Sequence, residues 1–100
     1  MKLEEIIKKI KEGSFKFILT NYTANNNLAI MLADVNEYKD MGYVYCDITV
    51  NVTTLPIHEV CVDTNNAPFA KELLEKLNIG EDTGKTVQSG FCTYPIMKLN

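Results

Sequence analysis

The most constraining feature of the sequence is an alternation of apolar and polar residues over positions 43–52. The apolar set is Val44, Cys46, Ile48, Val50 and Val52, and the polar set is Tyr43, Tyr45, Asp47, Thr49 and Asn51. A period of two predicts a β-strand with one face in the core and the other in water, which is typical of antiparallel sheets. The chain is therefore expected to build an antiparallel sheet with one covered face.

The sequence before this strand predicts a helix and a β-hairpin. Four apolar residues have the i, i+3, i+4, i+7 spacing of an amphipathic helix, which Gly13 ends: Leu3, Ile6, Ile7 and Ile10. Two strand-like runs, residues 15–22 and 28–33, flank three asparagines at 25–27, a residue type that tolerates left-handed turns. The polar residues 34–42 are predicted to form the loop of a second hairpin.

After the alternating strand, the sequence predicts a short strand, a helix and a last strand. The short strand covers residues 60–63, and the helix that follows has an apolar stripe of Phe69, Leu73 and Leu77. Its expected N-cap is one of Thr64, Asn65 and Asn66. Gly80 is expected to end the helix, residues 81–86 to form a loop, and residues 87–99 to form the last strand.

These elements define the predicted fold class. The order α-β-β-β-β-α-β indicates an α+β fold, with an antiparallel sheet of about five strands and both helices packed on one face. The chain has 100 residues, of which 46% are hydrophobic and 23% charged, an ordinary globular composition for one domain. We expect residues 1–100 to form a single α+β domain.

Charge and composition restrict the partners and the compartment. Residues 34–82 carry ten acids against three lysines, and the chain contains no arginine, so this part is not expected to bind nucleic acid. No run approaches the roughly 20 apolar residues of a membrane helix. Because no export signal is apparent and three cysteines cannot all pair, we expect free thiols in a cytoplasmic protein.

Residues 34–47 are predicted to form a partner-binding surface. They combine carboxylates with tyrosines, a composition found where proteins bind one another: Asp34, Glu37, Tyr38, Asp40, Tyr43, Tyr45 and Asp47. The alternative is that the tyrosines pack across strands and cover the sheet.

Three motifs suggest chemistry, and each lacks a part that the chemistry needs. Residues 80–86 look like a phosphate-binding loop, but three residues rather than four separate the glycines, and the segment precedes a strand rather than a helix. His58 and Cys61, with Cys46 or Cys92, form only one short spacing, whereas zinc sites usually have two. We therefore expect no metal and no cofactor.

The third motif is a nucleophile with its base. Cys92 would need His58 as the base and Asp63 to orient it, and nothing in their spacing brings the three together. We therefore assign no catalytic residue.

Two signatures resemble a known family. They are residues 62–66 with Pro68 and Ala70, and residues 83–84 with 89–95. They are similar to those of a family of small proteins of unknown function, encoded largely by gut bacteria, their phages and conjugative elements. Phe69 departs from the tryptophan expected in the relatives. The resemblance marks a possible ligand or family-motif site, namely Asp63, Thr64, Asn65, Asn66, Ser89, Gly90, Cys92 and Tyr94.

The resemblance implies a setting rather than an activity. Small acidic proteins of phages and mobile elements often bind and disable host machinery, so we expect a non-enzymatic inhibitor of a host complex such as a CRISPR effector or a restriction enzyme. The alternative is a thiol-dependent enzyme or small-ligand-binding protein that uses Cys92 and Asp63. A structural subunit that only oligomerises is a third hypothesis.

Overall fold

The computed structural model describes residues 1–36 and 44–100, and this part of the chain contains two helices and six strands. In chain order they are α1 (Leu3–Lys11), β1 (Phe15–Asn21), β2 (Leu28–Asp34), β3 (Val44–Asp47), β4 (Glu59–Cys61), α2 (Ala70–Lys76), β5 (Gly80–Ser89) and β6 (Cys92–Leu99). The protein is α+β, as predicted.

The strands form two antiparallel sheets of three rather than one sheet of about five. The strand orders are β1-β2-β3 and β4-β6-β5. Backbone hydrogen bonds join the two sheets just beyond β3 and β4, because the Val50 N–H donates to the Cys61 carbonyl (3.0 Å) and the Asp63 N–H donates to the Ile48 carbonyl (2.9 Å). The Cys61–Asp63 segment therefore connects the sheets.

The additional strand is β5, which combines the predicted loop at residues 81–86 with the start of the predicted last strand at residues 87–89. α2 is followed by Asn78 in a left-handed conformation (φ 60°), and Gly80 begins β5 instead of ending the helix. β5 pairs with β6 along most of its length, and a register shift between Asp82 and Thr86 accommodates the extra residues. The glycines and polar residues of 80–86 suggested a loop, whereas long-range pairing with β6 makes this segment a bulged strand.

The N-terminal prediction is confirmed. Ile6 of α1 is fully buried, and its neighbours on the apolar stripe pack against the same core. β1 and β2 form the predicted hairpin, with Asn21 opposite Leu28 on either side of the asparagine turn. Lys9 of α1 also places its Nζ 5.5 Å from the centre of the Phe15 ring.

A bulge breaks the alternation that predicts β3. The register shifts between Leu32 and Ala33 of β2, which leaves Tyr45 as an extra residue on β3. Because a bulge re-aims side chains, the Tyr45 ring packs on Phe15, with 5.1 Å between the ring centroids. Tyr45 is therefore half-buried beside the core instead of lying on the predicted wet face.

Thr49 is also buried, although the alternation places it on the wet face. Its Oγ1 accepts a hydrogen bond from the Ile30 N–H (3.0 Å) and lies 3.0 Å from the Tyr22 hydroxyl. These partners satisfy the hydroxyl, so a polar side chain is tolerated inside the protein.

One core cluster contains residues of both helices and both sheets. Its largest fully buried side chains are Ile6, Leu32, Ile48, Val60, Val62, Leu73, Leu74 and Met97. Because Leu73 and Leu74 are fully buried, truncating either to alanine is expected to cost roughly 2–5 kcal/mol of stability. The two sheets and two helices thus share a core.

Candidate functional site

Asp63 is the buried carboxylate of the family motif, with 5% of its surface exposed. Its Oδ1 accepts a hydrogen bond from the Asn66 backbone N–H (3.1 Å), and its Oδ2 accepts one from the Asn66 Nδ2 (3.0 Å). The Asp63 carbonyl also accepts a hydrogen bond from the Ala67 N–H (2.8 Å). Together these bonds close the turn that leads from β4 to α2.

The turn corrects the predicted helix cap. α2 begins at Ala70 with Phe69 as its N-cap, and no side chain caps it. Instead, the Asp63 carboxylate orders the preceding residues, while Thr64 is half-buried and Asn65 and Asn66 are exposed. The predicted N-cap at Thr64, Asn65 or Asn66 is therefore wrong, and Asn66 instead pairs with Asp63 to order the turn before the helix.

Two cysteines lie within the electrostatic reach of Asp63. Burial raises the pKa of Cys46 to about 11, assisted by the charges of Asp47 and Asp63. Burial and the Asp63 charge raise the pKa of Cys61 to about 11. Because the thiolate is the reactive form of cysteine, Cys46 and Cys61 are poor nucleophiles at neutral pH.

The structure brings Cys92 and Tyr94 to the same region as Asp63. Cys61 pairs with Ile96, and the Val62 N–H donates to the Pro95 carbonyl (3.0 Å), so the antiparallel register continues with Asp63 beside Tyr94. Cys92 lies two residues before Tyr94 and so shares its face of β6. We call Asp63, Cys92 and Tyr94 the thiol–carboxylate group.

The pKa of Tyr94 depends on the other two members of the thiol–carboxylate group. Its ring is buried, with 8% of its surface exposed. Hydrogen bonding with Cys92 raises the pKa of Tyr94, and burial, the charge of Cys92 and the charge of Asp63 act in the same direction. The phenol therefore stays protonated at neutral pH and can serve as a hydrogen-bond donor.

His58 lies far from Cys92, so the structure does not bring together the nucleophile and base that the third motif would need. The His58 carbonyl accepts a hydrogen bond from the Leu99 N–H (2.7 Å), so His58 is at the end of β6 opposite to Cys92. Seven residues of strand separate Leu99 from Cys92, a distance of about 23 Å. The histidine cannot accept a proton from this thiol.

The β5–β6 tip, residues 86–94, is the most exposed apolar feature of the described chain. Ser89 pairs with Cys92, and Gly90 makes the turn with a φ of 60°. Phe91 at this turn has a relative exposure of 107%. The sequence contains no charged residue from 86 to 97. The family-motif residues Ser89 and Gly90 thus present a bare aromatic ring at the end of an uncharged hairpin.

The predicted acidic surface is described only in part. Asp47 is exposed, whereas Asp34 is half-buried and accepts a hydrogen bond from the Asn36 N–H (3.0 Å). Tyr45 packs on Phe15, as noted above. The other predicted members of this surface lie outside the described residues: Glu37, Tyr38, Asp40 and Tyr43.

The phosphate-loop-like segment is the bulge of β5. The Thr83 hydroxyl donates to the Ile96 carbonyl (2.7 Å) and accepts a hydrogen bond from the Lys85 N–H (3.1 Å). The Asp82 carboxylate accepts a hydrogen bond from the Gly84 N–H (2.9 Å) and lies 3.1 Å from the Lys71 Nζ. These interactions hold the bulge within the sheet, and no helix N-terminus follows it, so its hydrogen bonds are those of a structural element.

A cleft of about 380 Å³ lies at the other end of the second sheet. It separates the asparagine turn of residues 25–28 from residues 55–59, and it includes His58. The sequence analysis missed this cleft, because the two segments are brought together only by long-range hydrogen bonds from Asn27. The signals for it were the three consecutive asparagines and the single histidine.

The described residues offer neither a cluster of metal ligands nor a membrane-spanning helix. Within 1–36 and 44–100, no group of three or more His, Cys, Asp or Glu side chains is placed to hold a metal ion. In the same residues, no helix is long and apolar enough to cross a membrane.

Comparison with known proteins gives a family. No curated protein and no solved structure matches the chain. The model of one protein family, described as a domain of unknown function (DUF4313), matches residues 17–100. Since the match covers both motif signatures and most of the chain, the protein belongs to this DUF4313 family.

Proposed function

We propose that this chain is a non-enzymatic binding protein that attaches to a host protein complex in the bacterial cytoplasm and inhibits it. The observation that carries the proposal is the full exposure of Phe91 at the β5–β6 tip. The class of target, a CRISPR effector or a restriction enzyme, follows from the mobile-element setting that the family resemblance implies.

The exposed ring favours binding for an energetic reason. Moving a phenylalanine side chain out of water contributes about 1.5–3 kcal/mol, which this fold does not use. Aromatic side chains are also frequent among the few residues that supply most of the binding energy of an interface. A partner with an apolar pocket would therefore gain most of its affinity from Phe91.

The surroundings of Phe91 point to a protein partner. Residues 86–97 carry no charge, so the tip offers no cation to pair with the phosphate groups of a nucleic acid or of lipids. The ring is flanked by Gly90 and Cys92, which leave it sterically free. Of the earlier acidic surface, exposed Asp47 is available to a basic region of the same partner.

The thiol–carboxylate group supports a second candidate, a thiol-dependent enzyme or a small-ligand-binding protein. Cys92, Tyr94 and Asp63 share one region, and hydrogen bonding with Cys92 raises the pKa of Tyr94. The Asp63 oxygens, however, are both engaged by Asn66. Alkylation of Cys92 across pH distinguishes the candidates: a rate set by a depressed thiol pKa favours the enzyme, and ordinary thiol behaviour favours the binding protein.

The proposal is tested with purified targets. The protein is added to CRISPR effectors and restriction enzymes of its host, and DNA cleavage and co-elution are measured. Loss of cleavage together with co-elution is the expected result for at least one enzyme. Unchanged cleavage by all of them, with no co-elution, contradicts the proposal.

A further inference from the structure

We infer that the cleft between the asparagine turn and residues 55–59 is a second binding site, specific for a short uncharged peptide segment. It is distinct from the β5–β6 tip. His58 lies beside Leu99, and eight residues of β6 and its turn, about 26 Å, separate Leu99 from Phe91. The two sites therefore occupy opposite ends of the second sheet and can be tested separately.

The walls of the cleft are held in place by Asn27. Its Nδ2 donates to the Thr53 carbonyl (2.7 Å) and to the Asn51 Oδ1 (3.0 Å). Its Oδ1 accepts a hydrogen bond from the Leu55 N–H (3.1 Å). Asn25 adds a further bond to Asn51 (3.1 Å). A cleft whose two walls are joined by a hydrogen-bond network exists before a ligand arrives, as is usual for binding sites.

A left-handed backbone conformation marks two residues that line the cleft, and it is strained at His58, since asparagine tolerates it at Asn26. The Glu59 N–H donates to the Pro56 carbonyl (3.1 Å), which closes a turn with His58 at its third position and a φ of 71°. Asn26, on the opposite wall, has a φ of 61°. Glycine adopts such angles without strain, whereas a histidine pays a cost of order 1–3 kcal/mol. The strained position of His58 is the reason to test its imidazole as a ligand contact.

The lining selects an uncharged ligand. Among the lining residues that the structure describes, Glu59 is the one carboxylate, and it is paired with the Lys85 Nζ at 2.9 Å. The Asn26 side-chain amide offers a donor and an acceptor, and the two ring nitrogens of His58 add polar contacts, which together suit the N–H and C=O of a peptide group. Four lining residues are aliphatic or proline and suit an aliphatic side chain: Leu28, Leu55, Pro56 and Ile57.

Two observations favour a peptide over a nucleobase, which also has amide-like edges. Proteins bind bases by stacking them on aromatic or arginine side chains, and the lining residues in the described part of the chain include no phenylalanine, tyrosine, tryptophan or arginine. Ile57, with 83% exposure, instead supplies an aliphatic contact at the rim. A volume of about 380 Å³ is at the lower end of ligand sites, which limits the occupant to a few residues.

The test uses NMR titration of the whole isotope-labelled chain with an acetylated and amidated alanine–leucine–alanine tripeptide. We expect saturable amide shifts at Asn26 and His58 and none at Phe91. An ester analogue that lacks one N–H should bind about fivefold more weakly, the factor for one hydrogen bond of about 1 kcal/mol. Adenosine is titrated in parallel.

Matched variants separate ligand contacts from strain. His58→Gly removes the ring and relieves the backbone, so it should weaken tripeptide binding about fivefold while the free energy of unfolding rises. Asn78→Gly makes the matching change at a left-handed position outside the cleft (φ 60°) and should leave binding unchanged. Equal binding by His58→Gly, shifts with adenosine but not with the tripeptide, or no saturable shifts in the cleft would each overturn the inference.

Discussion

Asp63 and Asn66 form a closed pair, in which each oxygen of the buried carboxylate accepts a hydrogen bond from the same residue. The pair stands where the two sheets meet, since the Asp63 N–H also donates to the Ile48 carbonyl (2.9 Å). The most distinctive residues of the family motif thus fix the geometry around which Cys61, Cys92 and Tyr94 gather.

Replacing Asp63 should destabilise the protein. Asp63→Ala removes the acceptor of two hydrogen bonds and is expected to lower the free energy of unfolding by about 1–3 kcal/mol. Asp63→Asn keeps one acceptor oxygen and should cost less. Urea denaturation measures both, and Asn65→Ala, at an exposed neighbouring position, should stay within about 0.5 kcal/mol of the wild type. A carboxylate that serves only a ligand would show no such loss.

Stability should decline in alkali because of the buried thiols. Cys46 and Cys61 have a pKa of about 11 in the folded protein, against 9.0 for an unperturbed cysteine thiol. Below pH 9 both the folded and the unfolded protein hold these protons, so the two thiols make their full contribution to the free energy of unfolding. Between pH 9 and 11 the unfolded chain releases them first, and the free energy of unfolding falls. Tyr94, whose pKa is raised mainly by hydrogen bonding with Cys92, acts in the same direction.

The thiol contribution is isolated by a double variant. Denaturant unfolding of Cys46→Ala with Cys61→Ala should show a smaller decline from pH 9 to 11 than the wild type, even if its stability at pH 7 is lower. An identical decline in both proteins would mean that the two thiols are not protected in the folded state.

Thr83 should matter more than its exposed neighbour Thr86. Its hydroxyl donates to the Ile96 carbonyl (2.7 Å) and accepts from the Lys85 N–H (3.1 Å), so it closes the β5 bulge. Thr83→Val keeps the shape and removes both bonds, with an expected loss of about 1–3 kcal/mol in thermal or urea unfolding. Thr86→Val is the matched control and should change stability by less than about 0.5 kcal/mol. Equal effects of the two substitutions would mean that the Thr83 hydrogen bonds do not stabilise the β5 bulge.

The sequence predicted those parts of the fold that depend on local periodicity. The stripe of α1 and the asparagine turn between β1 and β2 are confirmed, because neighbouring residues alone determine them. β5 was missed, since Gly80 and Gly84 favour a loop locally and only pairing with β6 makes the segment a strand. Tyr45 was assigned to the wrong face because a bulge depends on the partner strand.

The candidate site also divides into residues that local motifs identify and features that depend on long-range strand pairing. The motif signatures singled out Asp63, Cys92 and Tyr94, and the structure places them together. The sequence did not indicate how far His58 lies from Cys92, nor that Phe91 is fully exposed. Both facts follow from the register in which β6 pairs with its neighbours. The cleft between the asparagine turn and residues 55–59 was also missed. Its two walls come from segments about 30 residues apart, which no local sequence pattern relates.

The most direct measurement is the dissociation constant for a host enzyme that the cleavage and co-elution assay identifies as a target, compared among wild type, Phe91→Ala and Leu19→Ala. Both side chains are exposed, so neither variant should alter stability, and Leu19 on β1 serves as the control. An aromatic anchor contributes about 2 kcal/mol or more, so Phe91→Ala should weaken binding at least about 30-fold. Leu19→Ala should bind like the wild type. Wild-type affinity in Phe91→Ala would contradict the central claim.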